Sequence, residues 1–147
     1  MDLGRRLRSR GYRLTPQREA ILGVLRENAG RPLSPEDIHA MAGKKQPGMG
    51  IATIYRTMDL FCELGIAFPV HLRGGYRFYE INLGKHHHHM ECIACGKLEL
   101  LEACVIDDIA ELVRDGSDFL ITSHCMSLFG YCRQCLEGGK EKEAAES

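Results

Sequence analysis

Residues 86–96 read His86-His87-His88-His89-Met90-Glu91-Cys92-Ile93-Ala94-Cys95-Gly96. Four consecutive histidines suggest an affinity tag, but the run is internal and leads directly into a Cys-x-x-Cys knuckle. In an extended segment successive side chains point to opposite faces, so His86 and His88 share one face and His87 and His89 the other. One strand then supplies imidazoles to two separate metal sites. Cys92 and Cys95 are answered at the same spacing by Cys132 and Cys135. Two such pairs make a closed tetrahedral thiolate set, the donor pattern of structural zinc. In a cytosolic chain the same spacing argues for zinc over disulfides.

The gap between Cys95 and Cys132 is longer than in a compact zinc ribbon, so intervening structure must bring the second pair back. The pattern predicts a strand over 98–102, a helix over 104–114 with Val105, Ile109, Leu112 and Val113 apolar, and a long strand over 119–131. A small α/β unit of this kind gains much of its stability from the metal, because a site absent in the unfolded chain adds its binding energy to folding. His124 falls on the last strand, sharing a face with Leu120, Thr122, Met126 and Leu128, where a satisfied core histidine is the competing reading. Cys62, Cys104 and Cys125 have no partner at useful spacing and read as packing thiols. Of these, Cys125, beside His124, is the one with a possible redox or metal role. His39 reads as a helix-surface residue and His71 as part of a hairpin.

Upstream, Thr15-Pro16-Gln17-Arg18 is a helix start, with Thr15 placed to cap free amides and Pro16 where its missing N–H costs nothing. Ser34-Pro35-Glu36-Asp37 repeats the signal, with acids in the first turn where the helix dipole favours them. After a loop at 43–50, a third helix over 51–64 carries Ile54, Met58 and Phe61 at helical spacing, with Gly65 as its stop. Its other side presents Thr53, Tyr55, Arg56 and Thr57, groups suited to phosphates, thymine methyls and guanine edges. On an isolated helix these would read as ordinary surface and packing residues. The context differs, because β-prone runs at 68–72 and 76–80 flank Arg73-Gly74-Gly75, a hairpin with a basic tip. Three short helices and a hairpin make a winged helix-turn-helix, whose last helix enters the major groove. Tyr12-Arg13 add a basic arm able to reach a minor groove.

Charge follows the same division. Residues 1–83 hold 13 Lys/Arg against 8 Asp/Glu, net +5, and residues 84–147 hold 6 against 12, net −6. A basic front half suits a polyanion and an acidic back half suits cations, although two solvated surfaces would look alike. No apolar run approaches the ~18 residues of a membrane span, and residues 1–25 lack a signal-peptide core, so a cytoplasmic protein is expected. The expected architecture is α+β, with a winged-helix DNA-binding domain over 1–83, a small α/β metal-binding dimerisation domain over 84–136 containing structural zinc, and a Glu- and Lys-rich disordered tail over 137–147.

Four motifs in order, L-T-P-Q-R at 14–18, G-I-A-T-I-Y-R-T at 50–57, H-H-H-H-x-x-C-x-x-C-G-K at 86–97 and S-H-C-M-S-L-F-G-Y-C-x-x-C at 123–135, resemble the ferric uptake regulator family. The resemblance covers roughly residues 3–136. It implies a homodimeric, metal-sensing repressor of double-stranded DNA that binds a pseudo-palindromic operator. Tyr55 and Arg56 would touch the groove, Arg13 the minor groove, and the paired cysteines would hold zinc. It also implies a sensing site between the domains that uses Glu80, His87 and His89, and a further site that uses His86, His88, Asp107 and His124. Fe²⁺ is the first choice for the regulatory metal, with Mn²⁺ or Zn²⁺ as alternatives, since mixed nitrogen and oxygen ligands do not choose among them.

Two positions depart from the family pattern. Pro32 stands where many members place a histidine ligand, and Leu100 stands where an acid is common. Glu102 is preferred as the substitute over Glu99, because in a regular strand it faces the same way as Leu100. Peroxide-sensing, zinc-sensing and nickel-sensing members are the alternatives; the first is favoured by Asp at position 80, where this chain has Glu. His89-Met90-Glu91 ahead of the knuckle superficially resembles a zinc deaminase, but a fully thiolate-bound zinc has no open position for water, so no enzyme is expected. A zinc-stapled interaction module without regulated DNA binding is the reading from a different class.

Overall fold

The computed structural model describes residues 3–75, 77–84, 86–104, 106–122 and 124–139, the side chains of Leu3, Asp107, Asp108 and Leu112 excepted. They fall into two compact units, residues 1–85 and 86–147. The first unit contains α1 (Leu3–Ser9), α2 (Pro16–Glu27), α3 (Pro35–Lys45), α4 (Ile51–Glu63), β1 (Ala67–His71) and β2 (Arg77–Ile81).

Each helix end has a local cause. The Thr15 hydroxyl accepts from Arg18 N at 3.3 Å and starts α2. Ser34 and Asp37 form a reciprocal capping box: Ser34 Oγ accepts from Asp37 N at 3.0 Å, and Asp37 Oδ2 accepts from Ser34 N at 3.2 Å. The end of α4 is a Schellman turn, in which Gly65, at φ 63°, lets Ile66 N reach Phe61 O at 2.7 Å and Gly65 N reach Cys62 O at 2.9 Å. Ile21 and Leu25 of α2, Ile38 of α3, Ile54, Met58 and Phe61 of α4, and Ile66, Tyr79 and Ile81 form one continuous buried core. Each such side chain contributes ~1.5–3 kcal/mol on burial.

The hairpin pairs Ala67 with Ile81 and His71 with Arg77. On its other side β2 exchanges two hydrogen bonds between Leu33 and Tyr79, both 2.9 Å, which tie the segment before α3 to the sheet. The sequence reading passed over α1. Its outer face is Arg-rich, but Leu7 is fully buried in the core and Arg6 Nη1 donates to Gly65 O at 2.8 Å, anchoring α1 at the C-terminus of α4.

The second unit contains β3 (His88–Cys92), β4 (Leu98–Leu101), α5 (Ile106–Gly116), β5 (Ser127–Gly130) and α6 (Arg133–Glu137). The strand order is β4-β3-β5, with β4 antiparallel and β5 parallel to β3. A parallel pair needs a crossover, which the segment containing α5 supplies. The expected long strand over 119–131 is corrected: among the described residues only 127–130 are strand, and the preceding stretch runs irregularly, with Phe119 and Leu120 exposed. Val105, Tyr76 and the apolar Leu112 side chain, on which parts of the expected helix and hairpin rest, lie outside the described residues, as do 140–147 of the expected tail. No helix among the described residues is long and apolar enough to cross a membrane.

Candidate metal centres and nucleic-acid surface

The parallel register of β3 and β5 assembles the cysteines. Cys92 pairs with Gly130, and Ile93 N donates to Gly130 O at 2.7 Å, so the chain leaving β5 delivers Cys132 and Cys135 to the knuckle. Gly96, at φ 71°, closes the knuckle turn, its N–H meeting Cys92 O at 2.8 Å. The four Sγ atoms lie within 4.8 Å of one another, with Cys95 and Cys132 3.8 Å apart. Cys132 N donates to Cys92 Sγ at 3.3 Å. That amide is the largest cause that lowers the Cys92 pKa to about 6, with the amides of Cys95 and Ala94 assisting and burial opposing. Burial, and then the neighbouring thiols, push Cys135 up to about 12. Four thiolates cannot share this space without a cation, and a tetrahedral dication is what the donor set fits.

A second group collects imidazoles. His86 Nε2 lies 3.0 Å from His88 Nε2 and 3.1 Å from His124 Nε2. The fourth member is Cys104, whose Sγ is 3.5 Å from His124 Nε2. All four donor atoms fall within 4.8 Å of one another. Burial first, then the adjacent His86 and His124, lower the His88 pKa, which keeps this ring neutral. The predicted separation of the histidines holds: His86 and His88 meet each other, while the His87 and His89 rings meet at 5.2 Å. His124 reaches this group from an irregular segment, not from the strand expected to carry it. The expected fourth donor, Asp107, has its side chain outside the described residues. Cys104, read as a packing thiol, stands in the group among the described residues. Its only advance signal was its place just ahead of α5, whose first amide, Ile106 N, donates to Cys104 Sγ at 3.4 Å. The other two thiols differ from each other: Cys62 is half-buried, its pKa raised by burial to about 11, while Cys125 is exposed and does not pack as expected.

Glu80 is buried on β2, where its Oε1 accepts from Gly30 N at 2.9 Å. Leu100 lies directly across from His89 in the β3–β4 ladder. The strand argument that preferred Glu102 does not hold, because β4 ends at Leu101; Glu102 is exposed and stands in none of the three donor groups among the described residues. Glu99 is paired with Lys97 at 2.7 Å.

On α4, Tyr55 and Arg56 are exposed and Thr53 is half-buried. Thr57 is corrected from a DNA-facing residue to a core one: it is 5% exposed, and positions 54, 57, 58 and 61 form one helical stripe. Tyr55 Oη sits 3.5 Å from Glu36 Oε1. Arg13 is exposed ahead of α2, its carbonyl accepting from Arg18 Nη1 at 2.8 Å.

Residues 9–129 match the model of the Ferric uptake regulator family. The ferric uptake regulation protein of Bacillus subtilis is 35% identical over 142 residues, spanning 95% of this chain and 94% of that protein. The peroxide-responsive repressor PerR of Staphylococcus epidermidis is 32% identical over 133 residues, 90% of this chain and 87% of that one. Among solved structures, the Helicobacter pylori ferric uptake regulator Fur, described as having three functional metal binding sites, superposes with a TM-score of 0.72 at 27% identity, covering 91% of this chain and 89% of that one.

Proposed function

The chain belongs to the ferric uptake regulator family, and from that premise we propose that it is a metal-responsive repressor that binds a pseudo-palindromic DNA operator as a homodimer. The observation that carries the reading is the combination, in one chain, of a helix presenting Tyr55 and Arg56 to solvent with histidines sorted into separate donor groups beside a four-cysteine centre. Family members are transcription regulators, not enzymes, and they bind metal and DNA.

In this reading Tyr55, Arg56 and Thr53 contact the major groove and Arg13 the minor groove. The N-terminus of α4 has no side-chain cap at Gly50, which leaves its amides suited to a phosphate. Cys92, Cys95, Cys132 and Cys135 hold structural zinc. Glu80, His87 and His89 bind the regulatory ion, Fe²⁺ first and Mn²⁺ or Zn²⁺ as alternatives, which supplies charge that orients these donors. Residues 1–83 read DNA and 84–136 dimerise. Ile109, Leu128 and Phe129, all partly exposed in the single chain, are the apolar surface for the partner. Binding of the ion selects the arrangement in which two α4 helices match successive major grooves. The peroxide-sensing alternative is disfavoured by Glu80, where Asp would favour it.

The test uses the full chain with its zinc retained and labile metal removed by mild chelation. Affinity for promoter DNA fragments is measured by gel shift with each of Fe²⁺, Mn²⁺ and Zn²⁺ restored. Metal-dependent binding is expected, weakened by Arg56→Ala by ~1–3 kcal/mol. Affinity unchanged by removal of the labile metal favours the zinc-stapled interaction module instead.

A further inference from the structure

An imidazole nitrogen has a single in-plane site, either one lone pair or one N–H. His86 Nε2 nevertheless faces two ring nitrogens, at 3.0 and 3.1 Å, and His124 Nε2 faces a nitrogen and a sulfur, at 3.1 and 3.5 Å. Pairwise hydrogen bonds leave each of these two nitrogens with one neighbour more than its single site can serve. A single cation at the centre satisfies all four at once. Ligands at zinc–nitrogen and zinc–sulfur bond lengths around a tetrahedron lie roughly 3.3–3.8 Å apart, so the N···S distance of 3.5 Å fits and the two N···N distances of 3.0 and 3.1 Å need to open by only a few tenths of an ångström to admit the ion.

We propose that Cys104 is a thiolate ligand completing a His86, His88, His124 site, and that this gives the site a preference for Zn²⁺ over Mn²⁺. The proposal rests on the reading that these histidines bind metal, and it adds a sulfur to their donor set. Carboxylates suit Mg²⁺ and Mn²⁺, while a thiolate beside imidazoles suits zinc and its spectroscopic substitute Co²⁺. Ligation replaces the thiol proton with the metal, so one proton leaves Cys104 for each ion bound. Two features prepare the residue for that exchange. The Ile106 amide at the start of α5 already donates to the sulfur at 3.4 Å, a contact that fixes where it sits. Cys104 is also half-buried, so the sulfur is held in place by its surroundings.

The test is a Co²⁺ titration of the full chain with its four-cysteine zinc retained and its other sites emptied by mild chelation. Wild type is expected to develop a near-ultraviolet thiolate-to-cobalt absorption together with the visible bands of tetrahedral Co²⁺. Cys104→Ser should lose the ultraviolet absorption. Cys104→Asp, which keeps a charged donor, should retain the visible bands without the ultraviolet one and lose about tenfold or more of the Zn²⁺-over-Mn²⁺ preference. An ultraviolet band unchanged in Cys104→Ser, or an unchanged metal preference in Cys104→Asp, overturns the proposal. DNA binding is read separately. Sulfur ligation without metal-dependent DNA binding would sink the repressor reading alone, and metal-dependent binding without the sulfur band would sink only the role of Cys104.

Discussion

The two units are built from opposite materials. Residues 1–85 bury a continuous set of aliphatic and aromatic side chains from α1 to β2. Among the described residues of 86–139 the buried ones are His88, His89, Cys92 and Cys135, while Phe119, Leu120 and Phe129 are at least half exposed. The first unit is held by the removal of apolar surface from water. The second buries groups that prefer water or a cation, so its cohesion depends on what those groups bind. A small unit whose described residues bury so little apolar surface is where a metal staple matters most.

The largest effect that would break this contrast comes from stripping the four-cysteine centre under denaturing chelation or by Cys132→Ser. Structural zinc contributes on the order of 10 kcal/mol of apparent binding energy. Residues 86–139 should therefore lose protection from proteolysis and from amide exchange while residues 1–85 keep theirs. Equal loss in both units would show that the first also depends on the metal. Acid probes the same asymmetry more gently. Protons compete with zinc for the four thiolates, so zinc should be retained at neutral pH and released progressively as the medium is acidified. Metal content across a pH series checks this, with the helical signal of the first unit expected to survive the release.

Within the first unit the core itself is the target. Phe61→Ala should cost ~3–5 kcal/mol and lower the unfolding midpoint while leaving zinc content unchanged. Loss of zinc from this variant would erase the distinction between the units. The smallest effect is Ser34→Ala, which removes one side of the capping box on α3 and should cost ~1 kcal/mol by chemical denaturation, again without changing the metal.

Much of the first unit was legible because its signals are local. Thr15, Ser34 and Gly65 terminate helices where the sequence marks them, and the Arg73-Gly74-Gly75 turn joins strands displaced by one residue from expectation. The helix α1 was not legible, since among its described side chains Leu7 alone is a buried large hydrophobic one and Arg5, Arg6 and Arg8 dominate its pattern. Thr57 faces the core because helical phase, and not its hydroxyl chemistry, decides its side of α4. In the second unit the period-2 separation of the histidines was visible, whereas the irregular path of the described residues between 117 and 126 was not, because the β-prone run Phe119-Leu120-Ile121-Thr122 forms no ladder.

From the sequence alone come the elements with local causes, the pairing of four cysteines by spacing, and the sorting of four histidines by alternation, since each depends on neighbours within a few residues. Tertiary structure decided what distant segments do to one another. It set the parallel register that carries Cys132 to Cys92, the ladder position that puts Leu100 opposite His89, and the crossover that brings Cys104 within reach of His124. Those contacts join residues roughly 10 to 40 positions apart, and no local periodicity encodes a distance of that kind.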